Sequence, residues 1–251
     1  MSHMAILGMD STIRTIFGRK IFPVAGTFSI IFKLFTHQNC NELSEAEDLI
    51  RRLVRKKKWS GRITIDLDSG VRGVFGTQEG AEKGYNPTKK GQKSYHPLFA
   101  FIAETRECLH NRFRSGNTYS ANGAVEFMKE CHARLPKGVW KVSVRGDSAF
   151  FISALLDFLE SKGAEYLIKV KMKGLERLLS GKKWRKVKNM PGFEVTKFFY
   201  QCSDWLHPRR FIAVRALVEV KTDGLLFPEY AYEYFCYVTT WTLDKIRSKK
   251  T

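Results

Sequence analysis

Acid is scarce in this chain. Its 251 residues hold 25 Asp and Glu against 43 Lys and Arg, for a formal charge of +18. Cysteine is sparse as well. Cys40, Cys108, Cys131, Cys202 and Cys236 are scattered, odd in number and never in a C-x-x-C pair. That pattern excludes a zinc ribbon or a disulfide framework and points to a reducing compartment. Long apolar runs are missing: the best candidate, around 28–35, is broken by Lys33, well short of the roughly 18 residues a membrane span needs. No secretory signal is evident, so a cytoplasmic protein is expected. The histidines at 96, 110, 132 and 207 show no metal-ligand spacing and suit structural roles.

What is present narrows the partners. With 43% hydrophobic and 13% aromatic residues, the chain is a folded body with a core, not a disordered basic tail. A folded surface this positive suits a polyphosphate such as DNA or RNA, although ribosomal and membrane-surface proteins share the charge. Residues 42–58 predict a helix opening at Ser44 with Glu47 three residues on, carrying Leu49, Ile50, Leu53 and Val54 at helical spacing. The helix ends in a basic cluster of Arg51, Arg52, Arg55, Lys56, Lys57 and Lys58.

From residue 62 strands and helices alternate. ITIDL reads as a strand, 95–104 as a second, and the stretch closing at NRFRSGN as a third. A helix is expected over 121–135, a strand from Trp140 to about Arg145, a helix over 152–162 ending at Gly163, and a strand over 165–172. This order predicts an α/β fold, a ribonuclease H-like mixed sheet flanked by helices. After Gly174 the alternating, aromatic-rich stretch reads as a β-rich basic insertion, with 232–240 as one more strand returning to the core. The expected organisation is an N-terminal region 1–58, helical and DNA-binding; a catalytic core 59–173; an insertion 174–228; and a return strand with a tail, 229–251.

Two carboxylates stand out against the shortage of acid. Asp68 ends the first strand and Asp147 ends the fourth, and in a right-handed mixed sheet of this order those strands lie side by side. Each is followed by serine and small residues, DSG and DSAF, which leaves room for an ion. Paired carboxylates suit Mg2+ or Mn2+, and such ions activate an attacking oxygen and steady the leaving one at a phosphodiester. Asp68 also has a plainer reading as a turn former, and Asp147 as a helix N-cap. Asp66, one strand period away, shares a face with Asp68 and is either an assistant or a decoy.

Three stretches resemble, in order, the DDE transposases of bacterial insertion sequences, in the insertion-sequence thirteen-eighty branch: IDLDSGVRGVFGTQEGAEKGYNPTKKGQKSYHPLFAF, RSGNTYSANGAVEF and VSVRGDSAFFISALLDFLESKGAEYLIKVK. The resemblance runs from about 60 to about 240. It implies a ribonuclease H-like core with a β-rich insertion, a first metal-binding aspartate at Asp68 with Gly70 in place of the usual threonine, and a second at Asp147 within Arg145, Asp147 and Phe150. In that family the third ligand is a glutamate on a later helix, and this sequence ends at Thr251 without it. Glu229 and Glu233 come too early. The implied protein is a cut-and-paste DNA transposase acting with Mg2+ or Mn2+ on the terminal inverted repeats of double-stranded DNA, as a homodimer associated with the bacterial nucleoid, and incomplete in its acidic ligands. The alternatives are a non-catalytic DNA-binding remnant or regulator, and a ribonuclease H-like nuclease.

Two basic groups are candidates for DNA contact: Lys89, Lys90 and Lys93 in a Pro/Gly loop, and Lys182, Lys183, Arg185 and Lys186 around Trp184. Finally, GMDSTIRTIFGRK (8–20) echoes LDSGVRGVFGTQ (67–78). No catalytic role is expected of Asp10.

Overall fold

The computed structural model describes residues 6, 8–18, 20–21, 23–54, 61–84, 86, 89–119, 121–188, 190–220 and 229–241. Arg55, Lys56, Lys57 and Lys58 of the expected basic cluster, and the tail from 242 onward, lie outside the described residues. The chain divides into two compact units, Met1–Lys57 and Lys58–Thr251.

The first unit is helical: α1 (Ser11–Ile16), α2 (Ala25–Lys33) and α3 (His37–Val54). Asp10 caps α1, its Oδ1 accepting from the amides of Thr12 and Ile13. α3 starts at His37, about two turns before the expected Ser44. Thr36 and Asn39 cap it reciprocally: the Thr36 amide donates to Asn39 Oδ1 at 2.9 Å and the Asn39 amide to Thr36 Oγ1 at 3.4 Å. Ser44 sits inside the helix and donates to the Cys40 carbonyl at 3.0 Å.

The second unit is built on β1 (Gly61–Ser69), β5 (Leu98–Ile102), β6 (Cys108–Arg112), β7 (Val139–Gly146), β8 (Glu165–Lys169), β9 (Arg185–Lys186), β10 (Phe193–Tyr200), β11 (Arg209–Val220) and β12 (Glu229–Thr239). They form one nine-stranded sheet in the order β6-β5-β1-β7-β8-β12-β11-β10-β9. β1, β7 and β8 run parallel to one another and the remaining pairs are antiparallel. Three strands too short to alternate, β2 (Arg72–Gly73), β3 (Glu82–Lys83) and β4 (Lys93–Tyr95), make a small separate sheet where the sequence suggests a loop. Its close packing requires glycine: a Cβ on Gly84 would lie 1.8 Å from the Gly116 carbonyl oxygen.

Alternation decides which sheet face is covered. Ile63, Ile65, Leu67, Leu98, Ala100, Ile102, Val144, Tyr166 and Ile168 are buried together with Phe127, Met128 and Cys131 of α4 (Ala124–Ala133) and Leu155, Leu156 and Leu159 of α5 (Ser153–Ser161). Leu179 of α6 (Leu175–Ser180), in a stretch expected to be β-rich, joins the same core alongside Cys236 and Val238 of β12. Among the described residues of this unit, the helices that cover this core, α4, α5 and α6, all pack into the one buried cluster. The opposite face carries Asp66, Asp68 and Arg145, and burying it under apolar helices would strand those charges.

The β-rich stretch continues the main sheet, with β12 pairing directly to β8. It is fastened from the covered side. Arg209 of β11 is almost fully buried and pairs with Asp157 and Glu160 of α5, donating to Glu160 Oε1 at 2.8 Å. Tyr166 of β8 donates to the same Glu160 oxygen at 2.6 Å.

Candidate active site

β1 and β7 pair in parallel, with Asp66 opposite Arg145 and Leu67 opposite Gly146. Asp68 is the next residue of β1 and Asp147 the first residue after β7. The apolar partners in these strands point into the helix-covered core, which leaves the charged residues on the open face. Phe150 anchors the turn after β7. It is fully buried, and a Cβ on Gly146 would lie 3.1 Å from its ring. Asp147 stays extended and caps the short 3-10 turn Ser148–Phe150, its Oδ1 accepting from the Ala149 amide at 2.9 Å. Asp68 Oδ1 accepts from the Ser69 amide at 2.8 Å. Both carboxylates are exposed, and among the described residues each keeps its second oxygen clear of a hydrogen bond. So Asp147 has the capping role that its local sequence suggests, Asp68 lies within β1 and not in a turn, and both side chains are open to solvent.

They line a common open cleft of about 720 Å3 together with Asp66, Phe101, Arg106, Arg145, Leu167, Lys169 and Tyr237. Asp66 is not open to a ligand in the same way. Arg145 grips it with a two-pronged fork, Nε to Oδ1 at 2.5 Å and Nη2 to Oδ2 at 2.6 Å. That bond is the chief reason the Arg145 guanidinium holds its proton even more tightly than usual. Among the described residues no three His, Cys, Asp or Glu side chains are grouped to hold a metal ion. The residues in the cleft that could hold an ion are Asp68 and Asp147, each with a carboxylate oxygen to offer. This pair fits a magnesium-type ion, which takes one or two carboxylates and completes its shell with water and phosphate oxygens.

The remaining predicted residues fall elsewhere. Lys89 and Lys90 are exposed, Lys93 half-buried, and Lys89 Nζ sits 5.3 Å over the Phe75 ring. Lys183, Arg185 and Lys186 are exposed at the β9 edge, whereas Lys182 is drawn in over Phe198 at 4.6 Å. None of these seven lines the cleft. Three of the four histidines at 96, 110, 132 and 207 are engaged: His96 Nδ1 with the Thr118 carbonyl at 2.8 Å, His110 with Glu130 at 2.7 Å and His207 with Glu160 at 3.1 Å. Burial holds His96 below its ordinary pKa, against the upward pull of the Thr118 carbonyl and the Asp147 charge.

Arg106 and the Asp66–Arg145 fork escaped the sequence reading. The fork had a signal, since residues 66 and 145 stand at the same offset of 79 as residues 68 and 147. Arg106 had none.

A model of the transposase DDE domain, group 1, matches residues 3–245. The chain belongs to this family. No curated protein matches it. Among solved structures, this group 1 DDE chain is similar to a piggyBac transposase synaptic complex with hairpin DNA, at 15% identity and a TM-score of 0.43, over 72% of this chain and 33% of that one. A Drosophila P element transposase strand transfer complex is similar at 11% identity and a TM-score of 0.24, over 65% of this chain and 42% of the other. The DDE chain thus spans less than half the length of either. None of its described helices is long and apolar enough to cross a membrane.

Proposed function

We propose that this DDE-family chain is a DNA transposase whose phosphoryl-transfer site is the Asp68 and Asp147 pair. What supports the reading is that the parallel register of β1 and β7 runs to Leu67 and Gly146, the residues just before Asp68 and Asp147, and that both carboxylates line one open cleft. The strand order β6-β5-β1-β7-β8, with β5 antiparallel to three parallel strands, supports a ribonuclease H-like core. The motif resemblance supports the insertion-sequence thirteen-eighty branch, with terminal inverted repeats as substrate, two copies on the DNA, and the bacterial cytoplasm as its setting.

Asp68 and Asp147 would hold Mg2+ or Mn2+, which when bound lowers the pKa of an attacking water or hydroxyl and neutralises charge on the leaving oxygen. The chain's own residues do the positioning. Arg106 and Lys169 at the cleft attract the phosphate, a term that weakens with salt. Ser69 and Ala149 amides steer the two carboxylates so that their second oxygens face outward. Lys89, Lys90, Lys93, Lys182, Lys183, Arg185 and Lys186 would serve backbone phosphates farther along the duplex, fixing position without reading sequence.

A plasmid nicking assay with Mn2+ tests the proposal. The expected result is metal-dependent nicking that falls by at least about a hundredfold in Asp147→Ala, with DNA binding retained. Binding without any cutting by the unaltered chain would support the non-catalytic reading, and cutting retained in Asp147→Ala would support a nuclease using other acids.

A further inference from the structure

The cleft balances three carboxylates, Asp66, Asp68 and Asp147, against three cations, Arg106, Arg145 and Lys169. One pair, Asp66 and Arg145, has already closed on itself. Its side chains are 36% and 41% exposed, so the pair contributes little to folding, on the order of 0–1 kcal/mol. Its value has to lie in what it does to its neighbours. Arg145 is on β7 two residues before Asp147, and therefore on the same face. It stands opposite Asp66, which is two residues before Asp68. A guanidinium carries its charge at every working pH and prefers a carboxylate it can grip at two points. Without Asp66, the carboxylates that still line the cleft with Arg145 are Asp68 and Asp147, the two that the metal would need. Glu104 also exerts an upward pull on Arg145, though a lesser one than Asp66, and its Oε2 already accepts from the Thr64 amide at 3.0 Å.

We propose that Asp66 is a positioning residue: its fork holds Arg145 away from Asp68 and Asp147 and so leaves that pair to cations. The inference rests on the two-aspartate reading above. The same fork works in the other direction, because Arg145 keeps Asp66 from becoming a third ligand. Asp66 and Arg145 therefore act on the metal with opposite signs. A strut that merely held β1 to β7 would not, since cutting it from either end would loosen the site.

The test is Mn2+ titration of the full chain, reading free Mn2+ by electron paramagnetic resonance, with unfolding temperatures measured alongside. Asp66→Asn frees Arg145 and is expected to weaken Mn2+ binding by about tenfold, within the range known for residues that orient metal ligands. Arg145→Gln frees a third carboxylate and is expected to tighten binding by roughly threefold or more. The double variant, lacking both charges, is expected to return to within about threefold of the starting affinity, on the same electrostatic argument. Equal weakening in both single variants, or no change in either, overturns the inference. The control Asp147→Ala separates the two levels: if it leaves Mn2+ affinity unchanged, the metal is not held by the aspartate pair, and both the site reading and this inference fall.

Discussion

Arg106 shows how much of a site is decided one residue at a time. It is the one non-glycine among the described residues with a positive φ, at 61°, and it lines the cleft. A left-handed backbone costs an arginine roughly 1–2 kcal/mol, and glycine escapes this at some cost in chain entropy. Arg106→Gly is therefore expected to raise stability by about 0.5–1 kcal/mol in denaturant unfolding while weakening DNA binding at low salt; loss of stability would show that the arginine head is a structural support. No sequence signal marks such a position, because the strain belongs to a turn set by its flanking strands. The aspartates were legible for the opposite reason, being rare acids at the ends of apolar runs. Identical residue patterns still need their context. In MDSTIRTIFG the threonines permit α1, and Asp10 becomes its cap, whereas Gly70 in LDSGVRGVFG follows the end of β1 and opens the turn toward β2.

At the scale of elements, strong periodicity survived and short pieces did not. β1, α4, β7, α5 and β8 lie within a few residues of expectation, because each carries its own apolar alternation or helical stripe. β2, β3 and β4, of two or three residues each, and the six-residue α6 are too short to show a period and take their form from neighbours. The early start of α3 at His37 came from a Thr36–Asn39 cap that the more conspicuous Ser44 and Glu47 obscured. How β11 is tied to α5 was not visible either, since Arg209 and Glu160 carry no pattern linking them. Burial would raise the Glu160 pKa, but hydrogen bonds from Arg209 and Tyr166 outweigh it and the net shift is downward. A carboxylate depressed in the folded state adds stability at pH above its unfolded value, near 4.3, and that stability is lost as pH falls through the folded value. Glu160→Gln is expected to cost about 2 kcal/mol at neutral pH and to show a shallower loss below about pH 4.5 in thermal unfolding. Parallel pH curves for the two proteins would contradict the assignment.

For the whole molecule, charge and topology answer different questions. The excess of 43 basic over 25 acidic residues speaks for a polyanionic partner but says nothing about chemistry. The proposed chemistry would depend on the crossover that pairs β1 with β7 in parallel, and that pairing was legible only through the order of elements and the preference for right-handed connections. Which helices cover the core was not legible, because alternation in a strand shows that its two faces differ without showing what packs on either. In the proposed function the open face would let a phosphodiester reach Asp68 and Asp147 across a cleft lined also by Arg106, Arg145 and Lys169.

The most direct test is crystallographic. Crystals of the full chain grown with Mn2+ and measured at a wavelength where manganese scatters anomalously are expected to show a peak bonded to oxygens of both Asp68 and Asp147, with Asp66 still held by Arg145. A peak on other residues with none at this pair would contradict the account.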